Sequence, residues 1–143
     1  MSWMITDHRE LKGTCYMEVL PGQYGGKCWN GQSVYFEEEH FGFIEATIIR
    51  HCPKYDHCAF TEINKTTWEK ILAELEDLYA DIGDSSRLAD VRSKVDLFFL
   101  NTEEQFLSSE AENMKRLREM LRDFTRWMRA TLNMHDTVTV LGM

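Results

Sequence analysis

The 143-residue chain has only two prolines and no low-complexity tract, which excludes disordered and fibrous classes. No apolar run approaches the roughly 18 residues that a membrane helix requires. The opening Met1-Ser2-Trp3-Met4-Ile5-Thr6-Asp7-His8 has neither the basic start nor the apolar stretch of a secretory signal. Basic residues are scarce: 16 Lys and Arg stand against 24 Asp and Glu, for a net charge of −8. That shortage argues against a nucleic-acid binder, whose affinity comes from cations placed on phosphates. It argues equally against binding to an anionic membrane. Gly22-Gln-Tyr-Gly-Gly-Lys27 has the spacing of neither phosphate-loop motif and reads as a turn. What remains is the expectation of one cytoplasmic, non-enzymatic domain over 1–143, without cofactor or metal.

With 43% hydrophobic residues, the chain has the material for a core. Its first half reads as β. Strands are expected over Lys12–Leu20, Ser33–Glu37, Phe41–Arg50 and Cys58–Ile63, joined by short connections that favour an antiparallel meander. The second half reads as α. Thr66-Thr67-Trp68-Glu69 fits a capping box with Thr66 as N-cap. Behind it Trp68, Ile71, Leu72, Leu75, Leu78, Tyr79 and Ile82 form one apolar stripe, and Gly83 stops the helix. Ser86–Leu100 has helical spacing, although Val95–Leu100 also suits a buried strand. Thr102-Glu103-Glu104-Gln105 opens a long helix towards Asn133, with Leu107, Ala111, Met114, Leu117, Leu121, Phe124 and Met128 inward. A repeated cap pattern at Ser109–Glu112 marks a possible break, and Phe106 and Trp127 fall off the inner stripe. Asp136–Met143 returns to β-branched residues and must find the N-terminal sheet to pair with. The fold class is therefore α+β: an N-terminal antiparallel sheet of about four strands, two to three amphipathic helices, and a short C-terminal strand returning to the sheet.

Chemistry-bearing residues are dispersed. Cys15, Cys28, Cys52 and Cys58 lack metal-knuckle spacing and read as free thiols. His51-Cys52 and His57-Cys58 offer two His–Cys pairs, the basis of an alternative reading as a small hydrolase or metal-binding protein. Adjacent side chains on an extended segment point to opposite faces, which weakens that reading. A third reading is an adaptor subunit of a larger assembly. The densest acidic run is Glu37-Glu38-Glu39; Glu74, Asp77 and Asp81 line the outer face of the first helix, and Asp56 sits in a loop. Three consecutive glutamates cannot all face one cleft; the run reads as a solvated loop or a guard on an edge strand, or else as a binding patch.

The tail Thr137-Val-Thr-Val-Leu-Gly-Met143, preceded by an amphipathic helix with Trp127, resembles the ends of small acidic bacterial immunity proteins of contact-dependent and polymorphic toxin systems. The resemblance covers the last third of the chain. It implies a single-domain cytoplasmic inhibitor that binds a cognate toxin domain, often a nuclease, and blocks its site. The acidic surface fits independently, because a nuclease toxin must be basic to hold nucleic acid. On that reading Glu37, Glu38, Glu39, Asp56, Glu74, Asp77 and Asp81 are the candidate contacts with the toxin.

Overall fold

A computed structural model describes residues 2–13, 15–83, 86–95 and 102–142. After a short 3₁₀ turn at His8–Glu10 come β1 (Tyr16–Pro21), β2 (Val34–Glu37), α1 (Glu38–His51), β3 (Phe60–Asn64) and α2 (Lys65–Asp81). Then follow α3 (Leu88–Val91), α4 (Thr102–Leu107), α5 (Glu110–Leu132) and β4 (Thr137–Leu141). The class is α+β, and the C-terminal strand joins the sheet as its pattern demanded. The sheet is antiparallel with order β2-β1-β4-β3, so β4 separates β1 from β3 and the pairing is not a meander.

The N-terminal region supplies three strands, because Phe41–Arg50, expected as a strand, lies inside α1. Glu38 and Glu39 in its first turn and Arg50 and His51 in its last complement the helix dipole. Phe41, Ile44 and Ile48 recur at three- and four-residue spacing and are all buried. Burial of that stripe outweighs the β preference of Thr47-Ile48-Ile49. At α2 the N-cap is Asn64, not Thr66: its side chain accepts from Thr67 N–H at 2.8 Å. The expected apolar stripe of α2 is otherwise buried, with Tyr79 half-buried under the Arg118 guanidinium at 4.2 Å.

The long C-terminal helix is broken at Ser108-Ser109, at the N-terminal edge of the expected Ser109–Glu112 break. Thr102 is the first helical residue of α4. The break resets the helical phase, so Leu107 and Ala111, expected inward, are exposed, while Phe106 is buried against Phe43. From Met114 to Met128 the expected stripe holds. In Ser86–Leu100 only Leu88–Val91 forms a helix among the described residues, and 96–100 lie outside them.

One face of the sheet carries Met17, Val19, Val34, Phe36, Ile63, Val138 and Val140 into a core shared with α1, α2 and α5. The Trp68 indole N–H donates to Val138 O at 3.0 Å and ties α2 to β4. Residues 22–33 fold over the other face, held by Glu18, which is 1% exposed. Its carboxylate accepts from Trp29 N–H, Asn30 N–H, Asn30 Nδ2 and Ser33 Oγ at 2.6–3.1 Å. Trp29 has a φ of 61°, a left-handed conformation that bulky residues rarely adopt, and the Glu18 contact to its N–H helps hold it there.

Candidate protein-binding surface

The three glutamates at the β2–α1 junction fan out as the backbone turns from strand to helix. Glu37 ends the strand beside His40, at 3.4 Å from Nδ1. Glu38 turns inward to His57, and Glu39 stays exposed. The His40 ring stacks on Trp3 at 4.2 Å and 10°, and Trp3 in turn stacks on Phe43 at 5.7 Å. Burial in this stack, with Arg116 nearby, pushes the His40 pKa down to about 4. His40 is therefore neutral at neutral pH, and its contact with Glu37 is polar rather than an ion pair.

Two grooves flank the stack. One, of about 420 Å³, runs between Trp3 and Tyr16 and carries Glu10, Lys12, Glu37 and Arg116. The other, of about 90 Å³, is formed by Trp3, His40, Phe43 and Phe106 with Glu39 on its rim. The fold thus brings two of the seven predicted residues to an aromatic centre that acidity alone did not reveal. Nothing in the pattern around Trp3 marked it, because its partners His40 and Phe43 lie about forty residues away on a helix that reads as a strand.

Glu38 belongs to a different arrangement. His57 Nε2 meets Glu38, and its Nδ1 meets the carboxylate of Glu45 at 2.7 and 2.9 Å. Glu45 is 0% exposed and also accepts from the Tyr55 hydroxyl at 2.6 Å. Partial burial disfavours the charge on His57, but hydrogen bonds to Glu38 and Glu45, with their charges, outweigh it and raise the pKa. Burial, and then the Glu45 charge, push the Tyr55 phenol far above its usual value. A histidine ring held between two carboxylates is a clamp that joins the 52–58 loop to α1.

The outer face of α2 is partly neutralised within the molecule. Glu74 pairs with Arg50 and lies 3.4 Å from His51 Nε2, and Asp81 pairs with Lys94 at 2.6 Å. Burial raises the Glu74 pKa, but hydrogen bonds from Arg50 and Thr47 and the Arg50 charge bring it below its usual range. Asp77 has no ion pair among the described residues and lines a groove of about 380 Å³ with Thr47, Arg50, Glu74 and Lys94. Asp56 is exposed and accepts from Cys58 N–H at 2.8 Å, closing its own loop.

His51 and His57, expected together in the hydrolase or metal reading, are engaged by different carboxylates, Glu74 and the Glu38–Glu45 pair. Among the described residues no group of three or more His, Cys, Asp or Glu is arranged to hold a metal. All four cysteines are unbridged; burial and the Glu18 charge push the Cys28 thiol up, the opposite of an activated thiolate. No helix among the described residues is long and apolar enough to cross a membrane. No family model, curated protein or solved structure matches this chain.

Proposed function

We propose that the protein is an inhibitor-type binding protein that captures a basic partner domain, as an immunity protein captures its toxin. The observation that carries this reading is the Trp3–His40 stack with Glu37 on one flanking groove and Glu39 on the other. An aromatic centre inside a charged rim is the composition of a protein interface, where the buried anchor supplies affinity and the rim supplies steering. A neutral His40 does not itself offset the negative charge of Glu37 and Glu39. A nuclease domain, which must be basic, has the complementary surface.

The test is protection. Candidate toxin domains encoded beside this gene are expressed with and without the protein, and binding is measured on the purified pair. Trp3→Ala should weaken binding by 2 kcal/mol or more, on the order of a thirtyfold loss, if the ring is the anchor. Glu37→Lys with Glu39→Lys should slow association and reduce protection while the fold persists. A folded double variant that binds at an unchanged rate, or hydrolytic activity abolished by His57→Ala, overturns the proposal.

A further inference from the structure

The two edges of the sheet are treated differently. At β2 the edge is closed: Ile5 N–H donates to Tyr35 O and Tyr35 N–H to Ile5 O, both at 2.8 Å. At β3 it is open. Only alternate residues of an antiparallel strand exchange hydrogen bonds with a given neighbour. Gly142 N–H donates to Ala59 O at 3.0 Å and Lys65 N–H to Asp136 O at 2.8 Å, which assigns residues 59, 61, 63 and 65 to β4 in the observed register. The backbone N–H and C=O of Phe60 and Glu62 therefore point away from the sheet, and among the described residues they meet no partner. Their side chains lie on the face opposite the helices. Phe60 is 46% exposed and meets the Tyr24 ring edge-on at 4.7 Å; Glu62 is exposed beside it.

We propose that this edge accepts an extended segment of another protein as a fifth strand, antiparallel to β3. A cationic side chain would stand opposite Glu62 and an apolar one opposite Phe60. Four backbone groups give the pairing its register, and the two side chains give it selectivity. Charge selects this occupant over a second copy of the chain. Aligning β3 with itself along its whole length sets Glu62 against Glu62, between molecules that each carry −8. The antiparallel direction places the apolar residue two positions C-terminal to the cation. Apolar surface continues inward from Phe60, which lines a cavity of about 200 Å³ with Cys28, Trp29 and Leu141. Because β3 is the far strand of the sheet from β2 and Glu37, this site stands or falls independently of the Trp3 grooves.

The experiment uses the whole ¹⁵N-labelled protein and a capped synthetic peptide, Thr-Val-Lys-Thr-Val-Thr, with a second peptide carrying Glu in place of Lys. In the free protein the amides of Phe60 and Glu62 should exchange with solvent quickly, while those of Thr61 and Ile63 are protected. Adding the Lys peptide should shift the Phe60 and Glu62 amides and slow their exchange. A cross-strand charge pair is worth up to about fivefold in affinity for Lys over Glu. Glu62→Lys should reverse the order of the two peptides. Amides of Phe60 and Glu62 unmoved at millimolar peptide, or a preference unchanged in Glu62→Lys, overturn the proposal. So does concentration-dependent broadening at those amides without peptide, which would make a second copy the occupant.

Discussion

Glu45 occupies a place in the core where a strand or helix pattern calls for an apolar residue, and its burial is tolerable because polar side chains meet its carboxylate. Tyr55 and His57 bind it directly, and Glu38 holds the far side of the His57 ring. Removing it takes away one of the two carboxylates that hold His57 and the acceptor of the buried Tyr55 hydroxyl, so Glu45→Ala should cost on the order of 3–5 kcal/mol in urea unfolding, with Glu45→Gln cheaper. The two histidines at the ends of this region titrate in opposite senses. The fold holds His57 above the ordinary imidazole value, so its contribution is fully present below about pH 6.5 and is lost as pH rises through the raised pKa. His40 is held at about 4, so its contribution is present above about pH 6.5 and is lost as pH falls towards 4. Side-chain NMR titration should find His57 still charged where the unfolded chain is neutral, and His40 still neutral near pH 5.

At the scale of elements, the helices of the second half were legible because their apolar residues repeat through α2 and from Met114 to Met128 in α5. The α1 segment was not. Phe-Gly-Phe-Ile-Glu-Ala-Thr-Ile-Ile is rich in β-formers, and the deciding signals were the flanking acids at Glu38-Glu39, the bases at Arg50-His51, and the Phe41–Ile44–Ile48 spacing. Misreading that helix also hid the site, since His40, Phe43 and Glu45 can meet Trp3 and His57 only from a helical backbone. The acidic rim was legible by composition; which acids are spent on internal partners was not, because Arg50, His57 and Lys94 come from other elements. The phase of α2 has a direct check. Leu75→Ala should cost about 2–5 kcal/mol, since Leu75 is fully buried. Glu76→Ala removes only an exposed pair with Arg129 at 2.7 Å and should cost less than about 1 kcal/mol.

For the whole molecule, charge acts on encounter more than on fold. Association with a basic partner should be fastest at low ionic strength and should slow as salt shortens the range of attraction to about 8 Å at 0.15 M. Stopped-flow rates for wild type and for Glu37→Lys with Glu39→Lys should converge at high salt. Glu38 is best left intact in that variant: its partner is His57, and reversing it would disturb the clamp as well as the rim.

The central position of β4 also bears on how the chain is made. β1 and β3 share no hydrogen bond with each other; residues 137–141 join them, and Gly142 lies so close to the segment leading into β3 that an added Cβ would clash with His57 O and Ala59 O. While the ribosome is still building α5, the first three strands can therefore pair only as β1 with β2, and Val19 and Ile63 lack the strand that lies between theirs. The sheet can thus close only after β4 has been made, and its folding is set by long-range closure rather than by the order of emergence. A chain stopped at Leu132 should retain helical signal but lose cooperative thermal unfolding. A nascent chain arrested there should be cut by protease at sites that the released protein protects.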